Sequence, residues 1–311
     1  MTSASRAALT GLAAVGAAGA AAAVWGVGIE RFLFTVREHR IRILPPGSSP
    51  LRVLHVSDAH MAPWQHRKQE WMATLADLEP DLVVNTGDNL GHVEGLAGLR
   101  RAFDGLRGVP GVYVHGSNDE YAPSPRNPLR YFTGPSKKHA GAPKLDTHAL
   151  DRYLSDELGW VDIDNTAATL EVAGLRIDTF GVNDAHRDWD DLDALPPLRA
   201  GQRAAGTADL VLGVTHAPYR RVLDAFTDLG ADALLAGHTH GGQVRIPFSA
   251  KALVANCDIP LDQARGLSSW AHGGREISLN VSAGIGHSIY APIRFGCRPE
   301  ASLLTLLPRE D

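Results

Sequence analysis

Residues 51–60 read LRVLHVSDAH, an apolar run that ends in an acidic residue and a histidine. The apolar part, Leu51 to Val56, has the length and composition of a buried strand. Asp58 and His60 follow it two positions apart, and alternate residues of an extended segment point to the same side. We therefore expect both side chains to reach one metal ion at the end of this strand.

Four further segments end an apolar run with possible metal ligands. The segment DLVVNTGD, residues 81–88, ends in Asp88 after a glycine that permits a tight turn. A carboxylate has two oxygens, so Asp88 can bridge two cations roughly 3.5–4 Å apart. The remaining segments supply Gly116-Ser117-Asn118-Asp119, His216, and the pair His238 and His240. Their convergence requires strands that lie side by side in one sheet, and it predicts a two-metal site.

The order of these clusters resembles the calcineurin-like metallophosphoesterases, whose pattern is D-x-H, GD, GNH[DE], a lone His and GH-x-H. The resemblance covers residues 52–307. It implies two ligand sets that share one carboxylate: Asp58, His60, Asp88 and His240 for the first metal, and Asp88, an asparagine, His216 and His238 for the second. It also implies an α/β fold, a four-layer α/β/β/α sandwich of two mixed sheets with the metals at the strand ends between them.

Two stretches are similar to one branch of this family, which carries an N-terminal membrane segment. They are GHTHGGQ at residues 237–243 and RFGCRPE at residues 294–300. The N-terminus agrees, because no charged residue occurs from Ala7 to Ile29, which is long enough to cross a hydrocarbon core of about 30 Å. We expect residues 1–30 to be a membrane anchor, with a cleaved export signal or a soluble alanine-rich helix as alternatives.

The sequence leaves open on which side of the membrane the catalytic domain lies. Counting Lys and Arg around the segment would keep the catalytic domain inside, whereas the resemblance includes exported members. Residues 31–50 are predicted to form a first strand and a linker, and residues 51–311 the catalytic domain. Strands are predicted at 51–56, 81–85, 111–115, 208–214 and 232–236, helices at 67–78 and 96–106, and a hairpin at 168–180.

The segment Gly116-Ser117-Asn118-Asp119 departs from the family's Gly-Asn-His-Asp. Either Asn118 shifts by one position and gives its carbonyl oxygen to the second metal, or Ser117 is the ligand and Asn118 contacts the phosphate. We favour Asn118, because a serine hydroxyl is a poorer ligand than an amide oxygen when no carboxylate neighbours it. Both alternatives leave this position without the imidazole that would help the leaving group, and His115 is either its substitute or a core residue.

The ligand types predict the cofactor and the reaction. Mixed histidine and carboxylate ligands suit manganese, zinc or iron better than magnesium or calcium. Two such ions lower the pKa of a shared water and withdraw charge from phosphoryl oxygens. We expect hydrolysis of a phosphodiester or pyrophosphate, with Asp88, Asn118 and Asp119 as the catalytic residues. Asp119 would orient a neighbouring side chain, and Asn89 would hold the bridging region or cap the next helix.

A segment of about residues 120–151 interrupts the pattern directly after a metal loop. It contains Arg126 and Arg130 beside aromatic residues, which would suit a lipid phosphodiester or a lipid-linked sugar nucleotide under a cap. A solvated surface loop is the alternative. A soluble phosphoester such as a cyclic nucleotide is a second candidate substrate, and a catalytically weakened metal-binding module a third function.

Composition restricts the partners. The 311 residues carry a net charge of −5, which argues against a nucleic-acid groove lined with Lys and Arg. The chain has two cysteines, Cys257 and Cys297, which could pair or remain thiols. The sequence leaves the oligomeric state open.

Overall fold

The computed structural model describes residues 3–125, 141–249 and 251–310. The strands are β1 (Thr35–Leu44), β2 (Leu51–Val56), β3 (Leu82–Asn85), β4 (Gly111–Tyr113), β5 (Trp160–Asp162), β6 (Thr166–Val172), β7 (Leu175–Val182), β8 (Leu210–Thr215), β9 (Ala233–Ala236), β10 (Gly266–His272), β11 (Arg275–Val281) and β12 (Glu300–Pro308). The α-helices are α1 (Ser3–Gly28), α2 (His66–Ala73), α3 (Gly95–Phe103), α4 (Ser117–Glu120), α5 (Thr147–Asp151), α6 (Leu195–Ala205) and α7 (Arg220–Asp228).

The twelve strands form two mixed sheets of six strands each. The first sheet has the order β1-β12-β2-β3-β4-β5, and the second has the order β10-β11-β9-β8-β7-β6. The central strands β2 to β5 are parallel, as are β7, β8, β9 and β11. The antiparallel pairs are β12 with β2, β6 with β7, and β10 with β11.

Three buried apolar clusters separate four layers. Val53 and Val84 of the first sheet pack with Leu212 of the second, which places one core between the sheets. Leu54 and other residues of the first sheet face α2 and α3, while β7, β9 and β11 of the second sheet face α7. Because β2 and β3 are covered on both faces, most of their residues are apolar. The predicted α/β/β/α sandwich is confirmed.

The predicted elements are present with shifted ends. The five predicted strands appear within two residues of their expected bounds, and the hairpin is β6–β7. Each predicted helix ends in a 3₁₀ turn: α2 continues as Thr74–Leu78, and α3 continues as Asp104–Leu106. The predicted first strand is β1, which pairs in parallel with β12 and forms an edge of the first sheet.

The N-terminal helix α1 lies mostly outside the layers. Residues Thr10–Phe32 are long and apolar enough to cross a membrane, with a mean hydropathy of 1.8, and the same properties fit an export signal. The helix touches the domain near its end, where Gly26 is buried and its carbonyl accepts a hydrogen bond from Arg294 N at 3.1 Å.

The predicted insertion is described at its two ends only. Tyr121 and Lys144 form an isolated antiparallel bridge, so the ends run side by side. Leu150 of α5 is fully buried in the core, and α5 continues as a π-helical turn over Arg152–Glu157. Arg126 and Arg130 lie outside the described residues. Cys257 and Cys297 are free thiols.

Candidate dinuclear metal centre

The predicted ligands lie on loops at one edge of the two sheets. Asp58 and His60 follow β2, Asp88 follows β3, and Asn118 follows β4 at the start of α4. From the second sheet, His216 follows β8, and the pair His238 and His240 follows β9. The expectation that all these strands belong to one sheet was wrong, because the two sheets face each other and end at the same edge. The carboxyl ends of parallel strands meet at one edge, which explains why residues far apart in sequence converge.

The loop conformation differs from the one we expected. Asp58 and His60 have φ of 50° and 40°, and His238 and His240 have φ of 68° and 49°, so all four are left-handed rather than extended. Asp88 is left-handed too, with φ of 53°. Alternation along an extended segment is therefore the wrong reason for their convergence. A non-glycine residue in this region costs roughly 1–3 kcal/mol, which the surrounding hydrogen bonds must offset.

Hydrogen bonds between neighbouring loops hold these conformations. Asp58 N donates to Gly87 O at 2.8 Å, and His60 N donates to Asp88 O at 2.9 Å. The second sheet is tied to the first by His238 N, which donates to Asp58 Oδ2 at 2.9 Å. The loops thus support one another across both sheets.

The first cluster contains Asp58, His60 and His240. Asp58 Oδ1 lies 3.5 Å from His240 Nε2 and 4.0 Å from His60 Nε2, and the two imidazole nitrogens are 3.1 Å apart. Asp58 Oδ1 is buried and has no hydrogen-bond partner among the described residues, whereas Oδ2 also accepts from Ser57 Oγ at 2.5 Å. An unpartnered carboxylate oxygen facing two imidazoles fits a divalent cation.

The second cluster centres on Asp88. Its Oδ2 atom lies 3.4 Å from His60 Nε2 and 3.6 Å from His216 Nε2, so it stands between the two groups of imidazoles. His216 Nδ1 donates to Thr86 O at 2.6 Å, which leaves Nε2 facing Asp88. His238 Nδ1 lies 3.3 Å from the same His216 Nε2. This placement fits a carboxylate shared by two cations.

Asn118, rather than Ser117, has its side chain at the shared carboxylate. Asn118 donates to Asp88 from its backbone N at 2.8 Å and from Nδ2 at 2.6 Å. A half-turn about the last side-chain torsion would exchange the amide nitrogen for the carbonyl oxygen, which could then face a cation. The backbone N of Ser117 instead donates to Asp184 Oδ2 at 3.0 Å. The geometry therefore favours Asn118 of the two alternatives.

Asp119 holds the loop that carries Asp88. Its Oδ1 accepts hydrogen bonds from the backbone N of Asn89 at 2.7 Å and of Leu90 at 3.2 Å, and its Oδ2 accepts from Gly116 N at 3.1 Å. Asp119 Oδ2 also accepts from the side-chain Nδ2 of Asn89 at 3.4 Å, so Asp119 orients one side chain as well as three backbone amides. Asn89 joins this network, because Asn89 Oδ1 accepts from Asn85 Nδ2 at 2.8 Å. Both residues are positioning groups.

His115 is a core residue held by two carboxylates. Its Nδ1 lies 2.8 Å from Asp164 Oδ2, and its Nε2 lies 2.9 Å from Asp151 Oδ1. Burial lowers the pKa of His115, but the two hydrogen-bonded carboxylates outweigh it and raise the pKa well above 6.5. Because both ring nitrogens are engaged, the geometry favours a structural role over contact with a leaving group.

Burial keeps three of the four imidazoles neutral, which is the form that binds a cation. It lowers the pKa of His60 to about 4, and it lowers the pKa values of His238 and His240 well below 6.5, so their nitrogen lone pairs are available. Burial also disfavours charge on His216, but Asp88, Asp184 and Asp58 outweigh it and raise its pKa to about 9. A bound cation would compete with that proton.

Sequence reasoning missed several neighbours of the site. His186 lies with its ring 4.4 Å from that of His238, and its Nδ1 is 3.0 Å from Tyr219 Oη. The spacing of Asp184 and His186 repeats that of Asp58 and His60, a signal that could have identified them.

The buried side chains of a lysine and an arginine support the ligand loops. Lys68 Nζ donates to His60 O at 3.1 Å and, through a shorter contact, to Ala59 O. Arg294 donates to His240 O at 3.1 Å, and its Nη2 lies 3.2 Å from His240 Nδ1. Arg294 begins the RFGCRPE stretch noted above, whereas no sequence signal marks Lys68.

The chain is similar to several known proteins. Residues 51–242 match the family described as calcineurin-like phosphoesterase. The chain is 25% identical to the uncharacterized metallophosphoesterase YkoQ of Bacillus subtilis, over 83% of this chain and 84% of that protein. It is 24% identical to the phosphodiesterase YaeI of Escherichia coli, over 88% of each chain. Among solved structures, it is 10% identical to a Haemophilus influenzae NAD nucleotidase, with a TM-score of 0.42 and coverage of 74% of this chain and 50% of that one.

Proposed function

Because this chain belongs to the calcineurin-like phosphoesterase family, we propose that it hydrolyses a phosphodiester or pyrophosphate bond with two divalent cations. The observation that carries the proposal is the convergence of Asp58, His60 and Asp88 from the first sheet with three histidines of the second. The unpartnered Asp58 Oδ1 supports a cation at their centre.

We assign the ligands in two sets that share Asp88. The first set is Asp58, His60, Asp88 and His240, and the second is Asp88, Asn118, His216 and His238. Manganese, zinc and iron all suit these donors. When bound, two such ions would lower the pKa of a water and stabilise the charge that develops on the phosphoryl group.

The remaining groups would prepare the site for the substrate. Asp119 holds the turn after Asp88 by accepting from three backbone amides, so the bridging carboxylate stays in place. The left-handed ligand loops are held by hydrogen bonds of the chain itself, which limits reorganisation during the reaction. Arg126 and Arg130 remain predicted substrate-binding residues.

We infer that the substrate is membrane-associated, a lipid phosphodiester or a lipid-linked sugar nucleotide. The apolar span Thr10–Phe32 supports this, since an anchor would bring the site to such molecules. The chain would then be anchored by one N-terminal segment, with an exported form as the alternative. A soluble phosphoester such as a cyclic nucleotide remains the competing substrate.

One observation favours a weakened enzyme as a second candidate. Asn118 stands where the family pattern has histidine, and His115 is engaged by Asp151 and Asp164. No imidazole is therefore assigned to assist the leaving group, and poor leaving groups would be hydrolysed slowly.

The test is metal content together with hydrolysis of bis-p-nitrophenyl phosphate and p-nitrophenyl phosphate. The full chain is required, because removing residues 1–44 would delete the edge strand β1. We expect about two ions per chain, with diester turnover lost in Asp88→Ala. The exposed Asp77→Ala is the matched control and should behave as wild type.

The outcomes separate the candidates. Metal loss in Asn118→Ala would identify that amide as a ligand, whereas unchanged metal content with lower turnover would assign it to the phosphate. Metal binding without turnover of either ester would favour the weakened module. A chain that binds no metal would refute the proposal.

A further inference from the structure

The end of α1 is fixed to the segment Ile293–Cys297, which follows the metal loops. Glu30 is buried, and its carboxylate accepts hydrogen bonds from Gly296 N at 3.0 Å and Cys297 N at 2.8 Å. A Cβ atom at Gly26 would lie only 2.9 Å from Arg294 O, so helix and segment are in close backbone contact. The helix therefore determines where this segment lies relative to a membrane.

The contact lies within the apolar span rather than beyond it. The span ends at Phe32, and Gly26 precedes that end by six residues, or about 9 Å along a helix. A helix of about 20 residues crosses the hydrocarbon core of about 30 Å, and the uncharged stretch from Ala7 to Gly26 has this length. With these residues across the core, Gly26 and the segment that touches it lie at the boundary between the hydrocarbon core and the lipid headgroups.

Large apolar side chains are exposed beside this segment. Ile246 is 60% exposed, Tyr290 is 50% exposed, and Phe248 is fully exposed. Arg245 N donates to Phe295 O at 2.8 Å, which places the chain of Ile246 and Phe248 next to the segment that contacts α1. A bond of 2.7 Å from Gln243 Nε2 to Ala291 O brings the loop of Tyr290 to the same place.

Cationic and aromatic groups next to the end of α1, and a lysine near Phe248, suit an anionic membrane surface. The guanidinium groups of Arg31 and Arg67 lie 4.4 and 5.0 Å from the centre of the Phe32 ring. Lys251 is exposed close to Phe248 in sequence. Arginine, lysine and aromatic side chains are the usual residues of the membrane–water interface.

We propose that Ile246, Phe248 and Tyr290 form an interfacial surface that enters the headgroup layer of the membrane spanned by α1. The occupant is the lipid bilayer, because the surface is continuous with the apolar span. The surface also lies beside the metal centre, since Arg294 contacts both Gly26 and His240. The site is thereby held at the depth of lipid phosphates, a consequence that rests on the proposed hydrolysis.

The test measures depth in the full chain, reconstituted in vesicles of phosphatidylcholine and phosphatidylglycerol. A fluorophore is attached to Phe248→Cys or Tyr290→Cys, each in a Cys257→Ser background, and quenching by nitroxide-labelled lipid is measured. Val15→Cys in α1 is the inserted control. Glu276→Cys is the exposed control, because β11 runs parallel to β9 and begins at the end of the sheet that lies away from the metal loops.

We expect headgroup nitroxides to quench the probes at 248 and 290 at least threefold more than the probe at 276. Equal, weak quenching at 248, 290 and 276 would overturn the surface if nitroxides on the acyl chains quench the probe at position 15. Absence of quenching at position 15 by acyl-chain nitroxides would overturn it as well, because the surface depends on insertion of α1. Quenching needs no turnover, so this result is independent of the proposed hydrolysis.

A triple variant tests the consequence for substrate. Ile246→Ser/Phe248→Ser/Tyr290→Ser should lower turnover of a vesicle-embedded fluorescent phosphatidylglycerol at least fivefold and leave bis-p-nitrophenyl phosphate within twofold of wild type. The control is Val161→Ser/Leu198→Ser, which removes exposed apolar side chains elsewhere. Equal loss of turnover on both substrates in the triple variant would overturn the link between surface and site. If the wild-type protein hydrolyses neither substrate, only the proposed function is refuted.

Discussion

Replacing Arg294 with methionine should destabilise the protein and weaken the first metal set. The guanidinium is fully buried and donates to the carbonyls of His240, Gly284 and Gly286. Methionine retains much of the side-chain volume but leaves these three carbonyls without their charged donor.

The magnitude follows from two opposing contributions. Hydrogen bonds to a charged group contribute about 1.5–3 kcal/mol each, and three of them are lost. Removing a buried guanidinium also removes its desolvation penalty, which is several kcal/mol. We expect a net loss of about 3 kcal/mol, with an additional 10–100-fold loss of metal affinity because a group that supports a ligand is removed.

Urea denaturation in EDTA measures the first effect without the contribution of bound metal. With an m value of about 3 kcal/mol/M, the midpoint should fall by about 1 M. Metal content after dialysis measures the second effect, and the set containing His240 should be depleted first. Arg298→Met, an exposed arginine four positions later, is the control and should change neither quantity.

A small effect would refute the reasoning. If Arg294→Met unfolds within 0.2 M of the Arg298→Met midpoint and retains its metal, Arg294 does not support the loop of His240. Loss of stability with full metal content would confine the role of the Arg294 side chain to the carbonyls of Gly284 and Gly286.

Three further predictions concern single contacts. Asp119→Asn should lower the free energy of unfolding by about 2 kcal/mol, because an amide nitrogen would face Gly116 N; stability equal to wild type in urea would contradict this. His115→Gln should be less stable than wild type at pH 6, and the gap should close at alkaline pH, because a raised histidine pKa adds stability that is lost as pH rises through it; a gap that is constant with pH would exclude a charged His115. Gly26→Leu should lower the thermal midpoint in detergent relative to Gly19→Leu, because a Cβ atom at position 26 lies 2.9 Å from Arg294 O, whereas one at position 19 has no neighbour within 4 Å. Equal midpoints would argue against the contact between α1 and Arg294.

The sequence allowed the strands to be predicted and the proposed ligands to be located, because both carry local signals. A buried parallel strand is a continuous apolar run, and each ligand follows such a run directly, as Asp58 follows β2. Nothing local reports the left-handed conformation of Asp58 or His60, because it depends on hydrogen bonds to the loop after β3. Arg294 could not be assigned for the same reason, since its partner His240 lies 54 positions away.

The proposed ligands are divided between the two sheets, with Asp58, His60 and Asp88 following strands of one and His216, His238 and His240 following strands of the other. Cations at this edge would cross-link the two sheets. Their binding free energy then adds to folding, about 2.7 kcal/mol at a metal concentration one hundred times the Kd. Removal of the cations by a chelator should therefore lower the free energy of unfolding and let the two sheets separate more readily.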